Sequence, residues 1–163
     1  MQIDIRGLWG YIGRFTIVHV IVYTLIATVF LIMQDGLPNS TQVALETFNP
    51  YRPIGLIATS GQILRSVVLA LVLYPFYDTI VRSERGLLVL FGALWGIALL
   101  GSVEPMPGSF EGVIYTEIPP LAHLIVLAAA ALEVFLFSWV FLRWERPSSV
   151  ERSYGEEGVV NLE

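Results

Sequence analysis

Residues 121–142 read LAHLIVLAAAALEVFLFSWVFL, and only His123, Glu133 and Ser138 interrupt the apolar run. About 20 apolar residues at ~1.5 Å rise are what a helix needs to cross the hydrocarbon core of a bilayer. The run therefore predicts a transmembrane helix. Glu133 falls near its middle and His123 near its start. An ionisable group at such depth is costly, so it faces other helices and takes a partner there. The rest of the chain has to supply both.

Three further apolar runs lie upstream, at residues 15–33, 56–77 and 86–103. In the first, Thr16, His19 and Tyr23 recur at helical spacing and share one face, which is expected to point into a bundle. The second carries Gln62, Arg65 and Ser66. Gln62 and Arg65 are one helical turn apart, Leu69 and Val72 continue their stripe, and Pro75 is expected to kink the end. The third holds Gly92 and Gly96 at GxxxG spacing, which lets helix backbones approach closely.

Composition agrees with a membrane protein. Of 163 residues, 55% are hydrophobic and 14% charged, against about 25% charged in an ordinary soluble domain. There are no cysteines, which excludes disulfides, thiol redox chemistry and thiolate metal sites. All nine basic residues are arginine and the net charge is −5. That balance argues against a nucleic-acid partner.

The connections read as follows. Residues 1–14, MQIDIRGLWGYIGR, contain three glycines that weaken a helix, while Trp9 and Tyr11 suit the headgroup zone. No small-residue cleavage site follows, so a cleavable signal is not expected. Residues 34–60 hold the turn signals DGLPNST and NPYRP. Between them, residues 42–48 are expected to form a short surface helix capped by Ser40 or Thr41. Residues 104–120, EPMPGSFEGVIYTEIPP, carry three glutamates and no basic residue. Their prolines and glycines exclude a regular helix through the whole segment. Residues 147–163 are polar without apolar periodicity and are expected to be a disordered cytoplasmic tail.

Arginine sets orientation. Arg6 and Arg14 precede the first run, Arg82 and Arg85 separate the second from the third, and Arg143, Arg146 and Arg152 follow the fourth. The other two connections share only Arg52. The positive-inside rule then places both termini in the cytoplasm. The expected fold is an all-α integral membrane protein: a four-transmembrane-helix bundle over residues 1–146, in the cell membrane, with both ends inside.

Depths can be compared at ~1.5 Å per residue. Arg65 lies ~13 Å below the outer face and Glu133 ~15 Å from the inner one, which makes them the natural ion pair. His19, ~8 Å above the inner end, is an alternative partner for Glu133. His123, ~3 Å below the outer face, is within reach of Gln62, Glu104 or Glu117. Gln62, Arg65, Glu133, His19 and Tyr23 are the candidate ligand-binding residues. Two histidines on two spans invite a b-type haem, but their depths differ by more than ~15 Å. Haem is therefore disfavoured, and the cofactor is left unassigned. Glu104, Glu111, Glu117 and His123 offer donors for a divalent metal. No fixed ligand spacing such as HExxH accompanies them, so no metal site is assigned.

Three functional readings follow. The leading one is a small multi-pass protein that binds a lipid or small amphiphile, or serves as a subunit of a larger membrane complex, with a polar region opening outward. The second is a membrane-embedded, metal-dependent hydrolase or transferase. Glu104 or Glu117 would act as base and His123 as acid, with Ser102 or Ser109 as candidate nucleophile. The third is a homo-oligomeric transporter or channel using Glu133.

Overall fold

The computed structural model describes residues 5–48, 56–100 and 106–160. Among the described residues every regular element is helical, so the backbone polar groups are satisfied locally. The elements are α1 (Ile5–Gln34), α2 (Asn39–Phe48), α3 (Leu56–Leu73), α4 (Gly86–Leu100), α5 (Phe110–Tyr115) and α6 (Pro120–Val160). A 3₁₀ turn at Tyr74–Phe76 and a π-helical turn at Asp78–Arg82 follow α3. Two segments, Gly7–Gln34 and Pro120–Pro147, are long and apolar enough to cross a membrane. Ser60–Phe76 and Gly86–Leu100 are shorter apolar helices.

α1 and α6 form the central pair, with α3 flanking α1 and α4 flanking α6. Phe15, Val18 and Val22 of α1 share one buried cluster with Ala70 and Leu73 of α3, Leu90 and Leu94 of α4, and Phe137 and Phe141 of α6. A second cluster lies at the other end. There Ile118 and Ala122 pack with Phe30, Leu37, Ala44 and Val126. It seats α2 and the start of α6 on the end of α1.

Several expectations need correction. α1 begins at Ile5, not at residue 15. Each glycine costs a helix ~1 kcal/mol, but tertiary packing outweighs that here, because Tyr11, Ile12 and Phe15 are all buried. Tyr11 is 1% exposed and belongs to the protein interior, whereas Trp9 remains exposed. α2 begins at Asn39, and the amides of Thr41 and Gln42 donate to the Pro38 carbonyl. Ser40 and Thr41 are therefore inside the helix and do not cap it. The Gln42 side chain instead donates to the Asp35 and Leu37 carbonyls, at 3.1 and 2.9 Å.

α3 ends at Leu73, and Pro75 sits in the 3₁₀ turn that terminates it. A proline there removes an amide donor, and the α-helical ladder gives way to 3₁₀ and π-helical turns while Leu73 and Tyr77 stay in the right-handed region. The inward stripe of α3 is Ser66, Ala70 and Leu73. It lies one residue, about 100°, around from the expected Arg65 stripe. Arg65 and Val72 are both exposed. Side chains added at Gly92 or Gly96 would meet nothing within 4 Å, so these glycines mediate no close helix contact among the described residues. α6 runs past residue 142 and through Pro147 to Val160, into the segment read from composition as a disordered tail.

Candidate functional site

The densest polar grouping lies where the N-terminal part of α1, the turns after α3 and the far part of α6 converge. Apolar periodicity brings Tyr11 and Phe15 of α1 against Phe137 and Phe141 of α6. The same helical phase carries Arg14 and Glu145 into contact. The Glu145 carboxylate is fully buried and grips the Arg14 guanidinium with both oxygens, Nη2 to Oε1 at 3.0 Å and Nε to Oε2. Tyr77 donates its hydroxyl to the same Oε1 at 2.8 Å. Gly10 leaves space beside the Arg14 guanidinium, which lies 3.4 Å from where a Cβ would stand. Tyr11 roofs the network, edge-on to Tyr74, Tyr77 and Phe141 with ring centroids 5.4–5.5 Å apart. Among the described residues its buried hydroxyl has no hydrogen-bond partner.

The next residue points the other way. Arg146 donates from Nε to the Val81 carbonyl at 3.2 Å and from Nη2 to the Ser83 carbonyl at 3.0 Å. It thereby holds the loop that enters α4. Gly86 is needed there, because a side chain would overlap the Ile80 carbonyl. Glu145 and Arg146 together lock the end of α6 to α1 and to both sides of the α3–α4 connection.

Beside this lock, α4 and α6 frame an open groove of about 490 Å³ lined by Leu87, Trp139, Leu142, Arg143, Arg146 and Pro147. The α6 residues fall at i, i+3, i+4, i+7 and i+8, which is one helix face. The groove thus joins two guanidinium-bearing side chains to an indole and two leucines. That lining places positive charge beside apolar and aromatic surface.

Nearer the centre, His19 is buried and its Nδ1 lies 2.8 Å from the Ser66 hydroxyl. Ser66 donates its one proton to the Gln62 carbonyl, so Nδ1 of His19 is the donor in this pair. Phe15 stacks near the ring and Phe137 meets it edge-on at 5.5 Å. The partner of His19 is therefore Ser66, not Glu133. Among the described residues no direct ion pair joins Arg65 to Glu133. Gln62, Tyr23 and Glu133 are each half-buried.

At the far end His123 is buried, and its Nδ1 accepts the Gly108 amide at 3.1 Å. The ring proton accordingly sits on Nε2. Gly108 takes a positive φ of 82°, the left-handed region that a side chain disfavours. Ser109 is the N-cap of α5: its hydroxyl accepts the Gly112 amide at 3.0 Å and donates to the Met106 carbonyl at 2.8 Å. That occupies the hydroxyl considered as a nucleophile. Glu117 is exposed. Among the described residues, no three His, Asp or Glu side chains are grouped as metal ligands. Glu104 and Ser102 lie outside the described residues, as does Arg52.

Sequence reasoning missed Arg14, Glu145, Tyr77 and Ser66 as partners. Arg14 was read only as a charge preceding the first apolar run, and Glu145 was not singled out. The available signal was the recurrence of Tyr11, Arg14 and Phe15 on one side of α1, and an acid held between Arg143 and Arg146. No family model, no curated protein and no solved structure matches the chain.

Proposed function

We propose that this chain is a membrane-embedded four-helix bundle, with both termini on the cytoplasmic side, that binds a lipid or small amphiphile. α1, α3, α4 and α6 are the four spans. Most of the residues in the two long apolar segments are not buried, whereas the core helix of a soluble protein is mostly buried. Ile32, Leu64 and Leu88 are 73%, 67% and 70% exposed. Large apolar side chains exposed on several helices call for a lipid or protein cover. Arg14, Arg82, Arg85, Arg143 and Arg146 gather at one end, as the positive-inside rule requires of the cytoplasmic side.

The observation that carries the binding reading is the α4–α6 groove, where Arg143 and Arg146 stand beside Trp139, Leu87 and Leu142. It lies at the arginine-rich end, away from the outward-opening polar region expected from sequence. The test is native mass spectrometry of the full chain released gently from detergent, after confirming that the protein resists alkaline extraction from membranes. Retention of a small molecule supports the reading, and a chain that never carries one at any collision energy contradicts it. The open Gly92–Gly96 face supports a second reading, a subunit role in which another membrane helix packs on α4. The same spectra would show it as a dimer or larger assembly.

A further inference from the structure

We infer that the α4–α6 groove is a headgroup site for an anionic phospholipid of the cytoplasmic leaflet, with Arg143 as its principal phosphate contact. This rests on the membrane-embedded, amphiphile-binding reading above and names the ligand class.

Charge complementarity comes first. Arg143 and Arg146 both line the groove, and among the described residues no acidic side chain lines it. The nearby acid of α6, Glu145, is turned away into the buried pair with Arg14. Asp78 is drawn aside by its surface pair with Arg82, at 3.3 Å. Arg143 and Arg146 therefore place two guanidinium groups on one wall of the groove. A guanidinium suits a phosphate because its planar donors match the phosphate oxygens two at a time.

The two arginines differ in freedom. Arg146 is anchored on the Val81 and Ser83 carbonyls and acts as a fixed positive wall. Arg143 is exposed and can adjust to the headgroup. Trp139, 48% exposed, sits one turn further along the same helix face. An indole at that level matches the boundary between headgroups and hydrocarbon. Beyond it the groove opens onto the apolar surface of α4 and α6, where Leu88 and Phe135 are exposed. Acyl chains would lie along that surface while the phosphate rests between the arginines. A free anion would gain the charge contact but would leave the apolar wall in water.

The test uses the purified full chain with phosphatidylglycerol and phosphatidylcholine at equal concentrations, scored by native mass spectrometry. Wild type, Arg143→Gln and Arg143→Lys are compared. An arginine near an anionic lipid surface is worth about fivefold in binding. Wild type should therefore retain phosphatidylglycerol preferentially, Arg143→Gln should lower that preference by about fivefold, and Arg143→Lys should restore much of it. Arg143 is exposed, so the variants should keep the wild-type melting temperature. A phosphatidylglycerol preference unchanged in Arg143→Gln overturns the proposed site. Equal retention of both lipids overturns the anionic headgroup but leaves amphiphile binding standing. Retention of neither lipid overturns both. If millimolar inorganic phosphate abolishes the preference, the groove is a free-anion site and the lipid assignment is wrong.

Discussion

Glu145 of α6 holds Arg14 of α1 across 131 residues of sequence, with its carboxylate wholly removed from solvent. Tyr77 completes the contact from the turn after α3. One carboxylate thus joins three separate parts of the chain at the end where the arginines gather.

Removing one member of such a pair leaves the other buried and uncompensated, at a cost of roughly 3–5 kcal/mol. Glu145→Gln and Arg14→Gln should each lower the thermal midpoint in detergent by a similar amount. The double variant should lose clearly less than the sum, because the two residues share one interaction. Additive losses would show that the pair does not act as a unit.

The two tyrosines around Glu145 should behave differently. Tyr77 donates to a charged acceptor, so Tyr77→Phe should cost roughly 1.5–3 kcal/mol. The buried Tyr11 hydroxyl has no hydrogen-bond partner among the described residues, so Tyr11→Phe should be neutral or stabilising. Melting curves of the two variants decide the matter. Equal losses would contradict the assignment of the hydrogen bond to Tyr77 alone.

The His19–Ser66 contact predicts a spectroscopic signature. With Ser66 donating to the Gln62 carbonyl, the neutral His19 ring carries its proton on Nδ1. Imidazole nitrogen shifts should report that tautomer. Ser66→Ala should abolish the preference and cost about 1–3 kcal/mol for the stranded ring donor. A ring protonated on Nε2 in wild type would contradict the arrangement.

Glycines should divide sharply. At Gly86 and Gly112 an added methyl overlaps the Ile80 and Met106 carbonyls, and at Gly108 it meets Val126 on a backbone of positive φ. Gly86→Ala and Gly112→Ala should reduce folded yield severely. Gly92→Ala meets nothing nearby and should gain up to ~1 kcal/mol in helix propensity. If thermal stability falls as far for Gly92→Ala, α4 has a partner in solution that these contacts omit.

The long apolar helices were legible because length and composition decide them, and α6 and the greater part of α1 fall where residues 121–142 and 15–33 indicated. What composition cannot report is helix phase. Ser66 and Arg65 differ by a single residue, yet Ser66 faces inward and Arg65 outward, because small side chains let α3 approach α1. The start of α1 was obscured by its glycines, whose local cost is overruled by the burial of Tyr11. Glu145 was hidden for the opposite reason: an acid flanked by arginines reads as a solvated helix end. Only the meeting of α1 with α6 shows that it is buried. His123 was singled out for chemistry, but its ring accepts a backbone amide and helps to fix the Gly108 turn.

The central claim is four membrane crossings with the Arg14–Glu145 end in the cytoplasm. With no native cysteine, single-cysteine labelling tests it directly. Asn39→Cys, Glu117→Cys and Glu84→Cys all place the thiol at exposed positions. A membrane-impermeant maleimide applied to intact cells should label positions 39 and 117 and reach position 84 only after the membrane is permeabilised. Labelling of position 84 from outside, or of all three positions alike, would contradict the account.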